Sequence, residues 1–251
     1  MTKTIPAQLA ENVAASGESV WLTSPETGMT VTWAEAYKQV NDIARQLHQL
    51  GLAPGEPVVV AAHNCIASTI LFTAVTSAGY LATPLNLVSG AKAMSYVLSH
   101  CKAKVLFCTP ENRSLIDEVS APEQCDFLII PLHPEDGPVW PTLQTDSSQT
   151  GNSIPDSDSP ALLMYTSGTT GNPKGVVLSH ANLLAAGQNV VTAHQITSDD
   201  TGLCVLPIYH INGLCVTVMG SLVSSGGLVI PRRFSARHFW TQMHKFNCSW
   251  F

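Results

Sequence analysis

Apolar residues recur along the chain in two different periods. Across residues 33–50 they fall at helical spacing, with Tyr37, Val40, Ala44 and Leu47 on one stripe that predicts a core-facing side. The segment carries its own start and stop: Thr32 is placed as N-cap, Glu35 is its capping-box partner three residues on, and Gly51 closes the last turn. After the turn Ala53-Pro54-Gly55 the pattern changes. Val58-Val59-Val60-Ala61 is a short unbroken apolar run rich in β-branched residues, which predicts a strand covered on both faces. A helix over residues 65–77 follows, ended by Gly79. Then come a helix over residues 91–101, a strand at Val105-Leu106-Phe107-Cys108 and another at residues 127–130. Strand and helix alternate, so the expected fold class is α/β: a three-layer α/β/α arrangement around a mostly parallel sheet.

The periodicity then stops. Residues 134–160 are dominated by Pro, Ser, Asp, Thr and Gly and read as a loop-rich connection. From Ser114 to Pro173 there is no Lys or Arg, so Lys174 is the first cation after a long gap. Residues 57–91 and 211–230 are also uncharged. Asn64, Ser68, Gly79, Pro84 and Asn86 interrupt the first, and Asn212, Gly220 and Gly226 the second, so both predict buried strands and short helices rather than a transmembrane segment.

Composition narrows the function classes. Only 12% of the 251 residues are charged, about half the ~25% usual for soluble domains, and the formal net charge is −6 with no block of Lys or Arg. Nothing here would displace counterions along a phosphate backbone, which excludes a general nucleic-acid binder. Met1-Thr2-Lys3-Thr4-Ile5-Pro6 lacks the features of a secretory signal, so a cytoplasmic location is expected. The seven cysteines are odd in number and contain no C-x-x-C pair, which suggests neither a disulfide set nor a zinc knuckle. The oligomeric state is left open.

The chemistry is concentrated in Tyr165-Thr166-Ser167-Gly168-Thr169-Thr170-Gly171-Asn172-Pro173-Lys174-Gly175. It lies between Ala161-Leu162-Leu163-Met164 and Val176-Val177-Leu178, both read as strands. Glycines let backbone approach an anion, amide groups and four hydroxyls supply donors, and the lysine adds a full charge. A Walker loop requires G-x-x-x-x-G-K-[ST] opening a helix. Here two residues separate Gly171 from Lys174, Gly175 replaces the Ser or Thr, and a strand follows, so the kinase and GTPase reading fails.

This segment resembles the signature loop of the adenylate-forming superfamily of acyl- and aryl-CoA ligases, luciferases and peptide-synthetase adenylation domains. The same order of features continues in Thr32-Trp33-Ala34-Glu35, Ala78-Gly79 before Pro84-Leu85-Asn86, Ser179-His180-Ala181-Asn182 and Leu206-Pro207-Ile208-Tyr209-His210. The resemblance implies that Thr166, Ser167, Gly168, Thr169, Thr170, Gly171 and Lys174 bind ATP through its β- and γ-phosphates, with Mg2+ sharing the charge. It implies that His210, matching the family's Pro-x-x-His segment, is a catalytic residue beside the acyl pocket, with Tyr209 and Gly213 lining the same pocket. His63, His100 and His180 are read as structural. The implied reaction joins a carboxylic acid to ATP as an acyl-adenylate, releases pyrophosphate, and forms a thioester with coenzyme A. A carrier-protein thiol as acceptor, or a non-catalytic nucleotide-binding relic, are the alternatives. The apolar run after His210 leans away from highly charged acids. Family members run well past this length, with the adenine and ribose contacts, a metal-holding acidic residue, the hinge and a catalytic lysine further on. Residues 1–251 are therefore expected to be an incomplete N-terminal domain without its C-terminal partner, to hold no metal ligand of their own, and to turn over negligibly alone.

Overall fold

A computed structural model of the chain describes residues 3–120, 126–142, 154–166 and 172–251. Its centre is a sheet built from β3 (Pro57–Ala61), β4 (Leu81–Pro84), β5 (Val105–Cys108), β6 (Leu128–His133), β7 (Gly137–Pro138), β8 (Pro160–Thr166) and β9 (Lys174–Ser179). Their spatial order is β7-β6-β5-β3-β4-β8-β9. The pairings among β6, β5, β3, β4 and β8 are parallel, and only the two edges, β7 and β9, run antiparallel to their neighbours.

The unbroken apolar runs are explained by the two faces of this sheet. Val58 and Val60 of β3 point into one core together with α2 (Trp33–Gln49) and α3 (Ile66–Ser77). Val59 and Ala61 point into a second core with α4 (Ala91–Cys101) and α5 (Arg113–Ser120). Each buried Val, Ile or Leu side chain contributes about 1.5–3 kcal/mol, so a strand loaded on both sides anchors both layers. The three-layer expectation is met.

Local signals hold where capping defines them. Thr32 Oγ1 accepts from the Glu35 amide and Glu35 returns a bond to the Thr32 amide, closing the box at the start of α2. The core stripe is rotated from the expected one. Trp33, Ala36, Val40, Ile43 and Leu47 are buried, whereas Tyr37 lies at the margin of the stripe and is 38% exposed. Over residues 134–160, the described part contains only the two-residue β7 before β8 begins at Pro160.

A second sheet joins chain segments far apart in sequence. β1 (Val20–Thr23), β2 (Thr30–Thr32), β10 (Thr201–Leu203) and β11 (Gly227–Val229) lie in the order β10-β11-β1-β2, with β1 parallel to β11. Trp21 of β1 stacks on Trp33 with ring centroids 4.4 Å apart and donates to Ser221 Oγ at 3.1 Å. α1 (Ile5–Ser16), capped by Thr4, docks on the same late elements. Asn12 Nδ2 donates to the Leu222 carbonyl at 2.7 Å, and the Ile5 amide donates to His180 Nδ1 at 3.2 Å. His180 opens α6 (His180–His194), which packs against α7 (Met219–Ser224). Among the described residues no helix is long and apolar enough to cross a membrane, and no disulfide joins the cysteines.

Candidate functional site

β8 and β9 form the hairpin that the glycine-rich segment was expected to close. Tyr165 pairs with Gly175 and Thr166 with Lys174, so both ends of the loop are held in register and both Thr166 and Lys174 are exposed. Ser167, Gly168, Thr169, Thr170 and Gly171 lie outside the described residues.

The root of the hairpin is tethered to α4. Tyr165 Oη lies 2.8 Å from His100 Nδ1, with the two rings edge-on at 5.7 Å, and Tyr96 stacks on His100 at 5.3 Å. Burial pushes the Tyr165 phenol well above its ordinary range, so it stays protonated at neutral pH. Tyr165→Phe removes this bond and keeps the ring. It is expected to weaken ATP binding, read as a Kd increase in calorimetry, while the melting temperature changes little; an unchanged Kd would detach His100 from the loop.

A cavity of about 480 Å³ opens at the carboxyl ends of the parallel strands β4 and β8. Asn86 lies on one side, Tyr165 and Thr166 on another, Pro173 across the hairpin, and His210 with Ile211 on a third. Ligands of parallel α/β sheets bind outside these strand ends, where loops rather than strand side chains set the chemistry. Two of the expected site residues, Thr166 and His210, meet on this cavity, and Lys174 stands directly across the hairpin from Thr166.

His210 ends the turn Leu206-Pro207-Ile208-Tyr209 and immediately precedes a helix. Its amide donates to the Pro207 carbonyl at 3.0 Å, and the His210 carbonyl accepts from the Leu214 amide at 3.0 Å. The helix runs through a π-turn, Gly213–Val218, into α7. Such wide turns recur at functional positions because they re-aim neighbouring side chains.

Tyr209 and Gly213 are both buried beside His210, and the Tyr209 ring centroid lies 5.3 Å from that of His210. The turn rotates Tyr209 inward to 6% exposure, beside His63, whose ring centroid lies 6.5 Å away. Gly213 packs on the backbone of Pro207, so it shapes the turn that carries His210. His63 in turn contacts Arg233 at 3.4 Å; burial, then the guanidinium, hold its pKa below the ordinary value. Among the described residues no group of three or more His, Cys, Asp or Glu is arranged to hold a metal ion. Ile211 and Asn86 were not singled out as site residues. Their adjacency to His210 and to the carboxyl end of β4 is the signal that could have found them.

A cavity at the carboxyl ends of a doubly covered parallel sheet, flanked by a glycine-rich hairpin, defines an α/β domain of the ligand-binding kind. The chain belongs to the AMP-binding enzyme family, whose profile matches residues 9–251. It is 33% identical over 247 residues to the sulfoacetate–CoA ligase of Cupriavidus necator, covering 98% of this chain and 48% of that protein. It is 29% identical over 260 residues to the oxalate–CoA ligase of Arabidopsis thaliana, covering 97% and 48%. ATP-bound MatB from Rhodopseudomonas palustris superposes with a TM-score of 0.79 at 25% identity, covering 98% of this chain and 48% of that one. The inhibitor-bound N-terminal domain of FACL13 from Mycobacterium tuberculosis superposes with a TM-score of 0.83 at 25% identity, covering 98% and 61%. The chain thus spans about half the length of the two ligases it matches.

Proposed function

We propose that residues 1–251 are the ATP- and acyl-binding part of an acid–thiol ligase whose remaining elements lie outside this chain. The observation that carries the reading is the meeting of Thr166, at the root of the signature hairpin, with His210 on one cavity. The relatives' names supply the class of reaction: both are CoA ligases.

In the first step a substrate carboxylate oxygen attacks the α-phosphorus of ATP in line. The phosphorus–oxygen bond to the β-phosphate breaks, and pyrophosphate leaves with the electron pair. Negative charge grows on that leaving group, and donors fixed beforehand around it lower the barrier. Thr166, Ser167, Gly168, Thr169, Thr170 and Gly171 supply such donors, and Lys174 supplies a positive charge at the hairpin's end. Magnesium enters with the nucleotide as part of the substrate, and no step is assigned to a protein-held ion. In the second step the coenzyme A thiol, losing its proton, attacks the acyl carbonyl and AMP departs. His210 stands where it can orient the acyl group between the two steps.

The relatives named for sulfoacetate and oxalate favour a short acid carrying a second negative group, against the lean of the apolar run after His210. A panel of short mono- and diacids in pyrophosphate exchange by the full-length protein separates these readings.

Lys174→Ala tests the nucleotide grip. A hydrogen bond to a charged group contributes about 1.5–3 kcal/mol, so the variant is expected to bind ATP some 10- to 100-fold more weakly by calorimetry. Equal affinity in parent and variant would sink the assignment of the nucleotide grip to this hairpin.

A further inference from the structure

Asn64 lies three residues beyond β3 and directly before the N-cap of α3, more than a hundred residues from the turn that carries His210. It is 4% exposed, and both ends of its amide group bond to that turn. Oδ1 accepts from the Ile208 amide at 2.8 Å, while Nδ2 donates to the Leu206 carbonyl at 2.9 Å and to Cys204 Sγ at 3.5 Å. Thr217 of the π-turn donates to the same sulfur at 3.1 Å. The turn is therefore gripped from two sides. Asn64 holds the backbone on either side of Pro207, and Gly213 abuts the Pro207 carbonyl itself.

We infer that Asn64 is a positioning residue for His210, setting where the imidazole stands in the cavity through the backbone of Leu206 and Ile208. Of the twenty side chains, only a short amide offers an acceptor and two donors at this reach. Asp lacks the donors, and Gln adds a methylene that the buried site would have to absorb. A displacement of about 1 Å at a reacting group can lower a rate about 100-fold, which is the scale on which such a clamp matters. The inference rests on the reading that His210 acts in the proposed reaction, and its test is built to fail separately from that reading.

In the 251-residue chain, Asn64→Ala is expected to move the His210 ring resonance in a proton–carbon NMR spectrum while those of His100 and His194 stay in place. Asn64→Asp keeps the acceptor for Ile208 and loses the donors to Leu206, and serves if the alanine variant fails to fold. In the full-length protein, Asn64→Ala should reduce kcat for acid-dependent pyrophosphate exchange about 10- to 100-fold with the KM for ATP unchanged. In a His210→Ala background the same change should cost almost nothing further, because Asn64 acts through that ring. An unmoved His210 resonance in both variants overturns the inference, as does an equal loss in both backgrounds. If the parent shows no exchange the proposed reaction falls, and if His210→Ala exchanges at the parent rate only the part given to His210 falls; in either case the NMR result alone decides on Asn64.

Discussion

Gly213→Ala is expected to destabilise the chain by about 3 kcal/mol, lowering its melting temperature by about 6–12 °C. In an ordinary helix interior this change would stabilise by about 0.5–1 kcal/mol, so the predicted sign is the opposite of the intrinsic preference. The reason is space. A Cβ at residue 213 would lie 2.2 Å from the Pro207 carbonyl oxygen, 2.6 Å from the carbonyl carbon and 2.8 Å from the Leu206 oxygen. All three are backbone atoms of the turn that Asn64 grips from the other side, so relief requires moving that turn and His210 with it. Urea unfolding of parent and variant gives the comparison directly. A variant as stable as the parent would mean that the turn is free to move, and that its close packing on the π-turn does not set the place of His210.

The second large effect is loss of stability in mild acid, centred on His180. This side chain is fully buried, Nδ1 accepts from the Ile5 amide, and the proton therefore resides on Nε2, which has no partner among the described residues. Burial lowers its pKa from 6.5 to about 4, with Asp156 acting weakly in the other direction. Because the folded value is depressed, the unfolded chain takes up a proton first as pH falls. Stability from this group is complete above pH 6.5, declines between 6.5 and about 4, and changes no further below that. The gap between the two values corresponds to about 3 kcal/mol. His180→Asn keeps an acceptor near the Ile5 amide and does not titrate. The difference between parent and variant melting temperatures should therefore shrink from pH 7 to pH 4. Asp200, whose pKa is held low mainly by a hydrogen bond from Ser249, is common to both proteins and cancels in that difference, whereas Asp156, held low mainly by Ser159, loses only a lesser contribution from His180 in the variant. Parallel curves would show that another group carries the acid sensitivity.

Much of the central architecture could be read from local pattern, for identifiable reasons. α2, α3 and α4 carry capping residues or glycine stops at their ends, and β3 and β5 are unbroken apolar runs because both faces of each are covered. The second sheet could not be read this way. β2, β10 and β11 are three residues long, too short to display a period, and β11 meets β10 on one side and β1 on the other only through the finished fold. α1 was missed although Thr4 and Pro6 form a start signal, because Gln8 and Asn12 are polar residues turned inward. At the site, the hairpin flanks and His210 were legible as motif. The burial of Tyr209 between the rings of His210 and His63 was not, since it depends on packing between segments distant in sequence. Asn64 gave no signal beyond interrupting an apolar run, because its partners are backbone atoms distant in sequence.

The second sheet also governs the order in which the polypeptide can assemble. β1 begins at Val20 and its parallel neighbour β11 at Gly227, so about 200 residues separate the two partners. At ~5–20 residues per second of translation, Trp21 and its strand wait roughly 10–40 s after emerging before that edge is covered. During that interval the nascent segment offers an uncovered aromatic strand to the ribosome surface and to chaperones, whereas β3, β4 and β5 already have one another. A ribosome-stalled series is therefore expected to show protease resistance first around residues 57–108 and only at the final lengths around the amino terminus.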